Sequence, residues 1–207
     1  MNCEQFLICV RDLKQETKVI RLNKKATKRK RKELPKEEKI TTYINYPCKD
    51  EARMNCCVSF FDFRSKPSCT EKGKTYTLDH SETNLEVLCM HIDGGVVAEK
   101  DTLRCDYAFF IKDMVDQGCG RAVFIELKGG GTEKALKQLI ATLNMPEIFE
   151  LSKDYRRIYG RIINTSSVPK IQSTGLYMDL KERLKKLGGN LKTGEWDFVE
   201  YYSELDD

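Results

Sequence analysis

The sequence predicts an α/β fold, a mixed central sheet of about four strands flanked by helices, in the element order αβββαβα. Three observations predict it. Apolar runs of strand length, bounded by turn residues, recur at NLEVLCMHIDGG (84–95), LRCDYAFFI (103–111) and RAVFIELK (121–128). The spacing then switches to helical in TEKALKQLIATL. A further strand-like run, RIYGRIINTS, and a charged helix, GLYMDLKERLKKLGG, complete the pattern.

The 207 residues fit one domain with some elaboration, or one domain plus a flexible arm. An apolar fraction of 40% with 33% charged residues implies a core beneath a heavily charged surface. No apolar run is long enough to span a bilayer, and the first residues are too charged for a secretory signal, so a cytoplasmic protein without membrane contact is expected. The nine cysteines then read as buried free thiols rather than a disulfide framework. Cys48, Cys56, Cys57 and Cys69 match no zinc spacing, and no CxxC or CxxH pair is present.

In chain order, residues 1–42 form a basic N-terminal arm. Its apolar patch (Phe6, Leu7, Ile8, Val10) fits a short strand or a short helix. Lys24, Lys25, Lys28, Arg29, Lys30, Arg31 and Lys32 then crowd together with no apolar face to bury. Such a block is a solvated loop, a localisation signal, or a phosphate-binding arm that releases counterions from nucleic acid. Residues 43–194 form the folded domain. Pro47 followed by Lys49–Asp50 suggests the start of a helix running towards Phe60, and KPSCTEKGK (66–74) reads as a loop. The strand 121–128 is nearly continuous in apolar character and is placed centrally in the sheet. Thr132 is the expected N-cap of the helix that Pro146 ends. Residues 195–207 form an acidic and mobile C-terminal tail.

The chemistry concentrates at Glu126-Leu127-Lys128. Side chains alternate along a strand, so Glu126 and Lys128 share one face while Val123, Ile125 and Leu127 take the other. A carboxylate and an ammonium at the end of a buried strand lose hydration unless they pair or bind something. Folding 103–111 onto 121–128 as a hairpin, with its midpoint near Asp116–Gln117, pairs position 106 with about 127 and brings Asp106 to the same place. Two carboxylates beside a lysine suit a hard divalent cation, Mg²⁺ or Mn²⁺ rather than zinc.

Asp106 in one strand, Glu126 and Lys128 in the next, and a helix carrying Gln138 resemble the PD-(D/E)xK phosphodiesterase superfamily of restriction-endonuclease-like folds. The likeness covers about half of the chain, and ELKGGGTEKALKQL is its most specific segment. It looks like the form found in uncharacterised and defence-associated bacterial members. Cys105 stands where the family name has proline, a position at which proline is often missing. The resemblance implies a metal-dependent nuclease with DNA, rather than RNA, as the expected substrate, and suggests a role in phage defence or self-protection. It implies that Asp106, Glu126 and the Leu127 carbonyl hold the metal, and that Lys128 orients the attacking water. Gln138 is implied to support the site. Glu51, or Asp93 before Gly94–Gly95, is a candidate further ligand, and Asp93 reads equally well as a turn residue. The alternative is a catalytically inactive nucleic-acid-binding protein, or a subunit of a complex, on the same fold. A homodimer or a protein partner at the charged helix Asp179–Lys186 is compatible with either reading. His80 and His91 have no Ser or Cys partner at triad spacing, and His91 is expected in a satisfied hydrogen-bonded position.

Overall fold

The computed structural model describes residues 58–83, 85–94, 102–112, 120–128, 131–146, 148–149, 155–165 and 171–207. Strands β1 (Val58–Asp62), β4 (Glu86–His91), β5 (Tyr107–Lys112), β6 (Gly120–Leu127), β7 (Tyr155–Asn164) and β8 (Leu191–Glu195) form a six-stranded sheet in the order β1-β4-β5-β6-β7-β8. Strands β2 (Ser68–Glu71), β3 (Lys74–Asp79) and β9 (Asp197–Tyr201) form a second sheet in the order β2-β3-β9. The helices are α1 (Thr132–Leu143) and α2 (Gly175–Lys186).

In the large sheet β1, β4, β5 and β6 run antiparallel, whereas β6, β7 and β8 run parallel. A parallel neighbour requires a crossover, and α1 lies between β6 and β7 in the chain as α2 lies between β7 and β8. Both helices cover one face. There Ala122, Phe124, Ile158 and Ile162 pack with Leu136, Leu139, Leu180 and Leu184. The small sheet covers the other, where Val123, Ile125, Leu127, Tyr159 and Ile163 pack with Tyr76 and Leu78. Strand β6 is therefore apolar on both faces, which explains its unbroken hydrophobic run.

The architecture is mixed α/β, as expected, but it has more strands than the sequence pattern suggested. The helix expected to reach Phe60 is not present over 58–60, which belong to β1 and pair with β4; residues 47–57 lie outside the described part. The loop expected at 66–74 is a hairpin. Glu71 pairs with Lys74 across Lys72 and Gly73, and both turn residues have positive φ, 49° and 74°. Two such residues match the right-handed twist of the flanking strands. Thr132 is the first residue of α1 rather than its cap. The cap position is Gly131 at φ 77°, a conformation that favours glycine, and no side chain caps this helix end.

The largest correction concerns 195–207. This segment is no mobile tail: it completes β8, forms β9 parallel to β3, and buries Tyr202 and Leu205. The physical reason is a buried ion pair that no local pattern displays. Arg161 on β7, wholly buried, donates Nε–H to Glu200 Oε2 at 2.7 Å and Nη2–H to Oε1 at 2.8 Å. Its remaining donors reach the Gly160 carbonyl (2.8 Å) and Asn190 Oδ1 (2.9 Å), and Tyr76 donates its hydroxyl to Glu200 (2.9 Å). Asp206 accepts hydrogen bonds from Arg121, Arg157 and Tyr159, which fastens the last residues to β6 and β7.

Candidate functional site

Register decides what stands near Glu126. In the β5–β6 hairpin Tyr107 pairs with Ile125, so Asp106, in the bend just before β5, stands level with Glu126 rather than with residue 127. The one-residue difference from the expected register keeps the two carboxylates at a common level, because directly opposed residues project together. The Asp106 N–H donates to the Ile125 carbonyl at 3.1 Å, and Asp106 Oδ2 accepts the Leu127 N–H at 2.6 Å. Lys128 Nζ lies 2.6 Å from Glu126 Oε1. Among the described residues that ion pair is the one polar contact of the Glu126 carboxyl, and neither oxygen has a further hydrogen-bond partner. Asp106, Glu126 and Lys128 thus stand together at the end of β6.

Their environment is dry. Glu126 is fully buried, Asp106 is 5% exposed, and Lys128 keeps 19% of its surface. Burial pushes the Glu126 carboxyl up to about 8; the Asp106 charge adds to the rise and Lys128 opposes it. Burial likewise raises Asp106 to about 7, against the pull of the Leu127 N–H, and the Glu71 charge raises it further. Perturbed carboxyls grouped in this way are a mark of working sites.

Helix α1 holds the segment that delivers Asp106. Gln138 Nε2 donates to the Arg104 carbonyl at 2.7 Å, and the Cys105 N–H donates to Thr142 Oγ1 at 2.8 Å. Thr142 in turn donates to the Gln138 carbonyl at 2.9 Å, so one turn of helix clamps the two residues preceding Asp106. The far end of the Gln138 amide, Oε1, is buried with no partner.

The other candidates fall elsewhere. Asp93 is half exposed and accepts Nε–H of Arg104 at 2.7 Å, so its carboxylate is already engaged. Glu51, the basic run Lys24–Lys32, Cys48, Cys56 and Cys57 lie outside the described residues. Cys69 is a free thiol buried in the core. His91 does not take a buried, satisfied position: it is exposed, with its ring edge-to-face on Tyr107 at 4.3 Å.

Two residues near the site were not singled out in the sequence. Glu71, beside the β2–β3 turn, is close enough for its charge to act on both Asp106 and Glu126, and it pairs with Lys72 at 2.7 Å. Asn164, the last residue of β7, is 3% exposed, and neither end of its amide has a partner. The Lys72–Gly73 turn was a usable signal for the first. The second had none, since its placement depends on a parallel pairing.

Among the described residues, no group of three or more His, Cys, Asp and Glu side chains is arranged to hold a metal ion. A hard cation that keeps several waters needs only one or two carboxylates from the protein. The Glu126 carboxyl, whose Oε2 has no partner among the described residues, with Asp106 alongside, fits that requirement. No protein-family model, no curated protein and no solved structure matches this chain.

Proposed function

We propose that the chain is a metal-dependent nuclease of the restriction-endonuclease-like PD-(D/E)xK type, hydrolysing phosphodiester bonds, with DNA as the favoured substrate. One observation carries the reading: a fully buried glutamate, without a hydrogen-bond partner, pressed 2.6 Å from a lysine and close to a second buried carboxyl. Folding does not leave a carboxylate in that state without a cost in stability, and a charged partner arriving later offsets it.

Asp106 and Glu126, with the Leu127 carbonyl, would hold Mg²⁺ or Mn²⁺. When bound, such an ion supplies polarisation of the phosphate and a water of lowered pKa. Lys128 would orient an attacking water and stabilise the negative charge that builds on the phosphoryl oxygens. Gln138 and Thr142 keep the Asp106 backbone in register by clamping residues 104 and 105.

The test is incubation of the full chain with plasmid and linear DNA in Mg²⁺, Mn²⁺ or EDTA. Cleavage is expected only with the cations, and Glu126→Ala abolishes it. Cutting in EDTA, or cutting that survives the substitution, rejects the mechanism. The absence of a ready-made three-residue metal cluster among the described residues favours one second reading, a protein on this fold that binds nucleic acid without cutting. Salt-sensitive DNA binding with no cleavage under any cation selects that reading.

A further inference from the structure

Of the seven buried side-chain atoms without hydrogen-bond partners among the described residues, five belong to three residues: both oxygens of Glu126, Oε1 of Gln138, and Oδ1 and Nδ2 of Asn164. Their sequence positions are far apart, yet the topology collects them. In the parallel β6–β7 pairing Leu127 lies beside Ile163, and the Lys128 N–H donates to the Ile163 carbonyl at 2.7 Å. Asn164 therefore stands at the level of Lys128 on the adjoining strand. Alternation along β7 puts Tyr159, Arg161 and Ile163 towards the small sheet, and Ile158, Ile162 and Asn164 towards the helices. That second face is the one β6 gives to Ala122, Phe124 and Glu126, and it is the face on which α1 carries Gln138.

The backbone of Asn164 is fixed on the other side, because its carbonyl accepts the Trp196 N–H at 2.9 Å. The backbone is thus held in place, while the side-chain amide has no hydrogen-bond partner among the described residues. Buried amides are almost always satisfied by protein or by ordered water. The three residues together offer four acceptor atoms and one donor group, Asn164 Nδ2. A single water has two protons to give and two lone pairs to receive, and buried waters commonly sit among about three such partners.

We infer that Asn164 is a positioning residue of this site, whose amide shares a bound water with the Glu126 carboxylate and the Gln138 carbonyl oxygen and keeps that water beside Lys128. The water gives its protons to Glu126 and Gln138 and accepts from Asn164 Nδ2. Its place next to Lys128 makes it the reservoir from which the attacking water is drawn; that last step rests on the nuclease reading, and the shared water does not.

The experiment pairs catalysis with metal-free stability. Asn164→Leu keeps the branched shape and the number of side-chain heavy atoms while removing the amide, and Asn164→Ala guards against overpacking by the larger leucine. For both, kcat is expected to fall at least tenfold with KM for a linear DNA substrate within twofold, while the metal-free melting temperature stays level or rises. Wild-type kcat in both variants, or a loss of rate that follows a fall in melting temperature, overturns the inference. A double-mutant cycle of Asn164→Leu with Glu126→Gln, read by metal-free melting, is expected to be non-additive because both changes remove partners of one water. Additive shifts overturn the shared water. A wild-type chain that cuts nothing sinks the nuclease reading instead, and the melting cycle then decides the Asn164 inference alone.

Discussion

Arg161 and Glu126 stand on neighbouring parallel strands one step apart in register, Arg161 beside Ile125 and Glu126 beside Ile162, and both are wholly buried. They face opposite sides of the sheet and meet opposite treatment. Arg161 is hydrogen-bonded through all three of its nitrogens, to Glu200 as a two-pronged pair, to a backbone carbonyl and to Asn190, and Tyr76 and Lys192 attend its carboxylate partner. Glu126 has one ion-pair contact and no hydrogen bond. The first arrangement joins the small sheet to the large one. The second leaves a buried carboxyl under-partnered, which costs stability when it ionises; on the nuclease reading a cation would offset that cost.

The sharpest way to break the comparison is to remove one carboxylate from each cluster. Glu200→Ala strands a buried guanidinium and is expected to cost about 3–5 kcal/mol in urea unfolding, with β9 released from β3. Glu126→Gln is expected to leave metal-free stability level or higher while lowering metal-dependent cleavage by about a hundredfold or more. Equal destabilisation by the two substitutions would erase the distinction.

A smaller effect follows from protonation. Burial raises Asp106 to about 7 and Glu126 to about 8, whereas in the unfolded chain both titrate near the ordinary carboxylate value of about 4. Between those limits the folded protein holds protons that the unfolded chain has released. Stability therefore falls as pH rises through this window. Asp79 acts in the opposite sense, since its hydrogen bonds with Ser81 and Lys66 lower it to about 2. Its contribution is present at higher pH and is lost only in strong acid, below the window. Metal-free melting temperatures should decline from about pH 5 to about pH 8, and Glu126→Gln should flatten the upper part of the decline. A flat or rising wild-type profile would contradict the burial that raises the two carboxyls.

The smallest effect belongs to the chain terminus. Asp206 is partly exposed and shared among Arg121, Arg157 and Tyr159, so Asp206→Asn is expected to cost about 1 kcal/mol. A loss comparable with that of Glu200→Ala would mean that this clasp, and not the Arg161 cluster, holds the C-terminal strand.

What the sequence displayed and what it concealed divide along the same line. Strands β4 to β7 and both helices carry their own periodicity, because the large sheet is covered on both faces and its helices keep one apolar stripe. The Glu126–Lys128 pair was legible for the same reason, as two charges interrupting such a run. The small sheet was not legible. In KTYTLD Tyr76 and Leu78 are the side chains that join the apolar core, and its two threonines and one lysine look like loop. Strand β9 pairs with a strand more than a hundred residues away, Thr75 beside Asp197, and no local pattern encodes that. Asn164 stayed hidden because only tertiary pairing places it near the site, whereas Glu71 had one local signal, the Lys72–Gly73 turn beside it. Asp93 attracted attention by its position before two glycines, but a lone acidic side chain does not reveal that Arg104 will claim it.

The most direct measurement is calorimetric titration of Mn²⁺ into the metal-free protein near pH 8, where both carboxyls can release their protons, with Asp106→Asn and Glu126→Gln as controls. The account predicts a binding event that releases protons and is lost in each variant. No binding by the wild type, or binding that survives in Glu126→Gln, would contradict it.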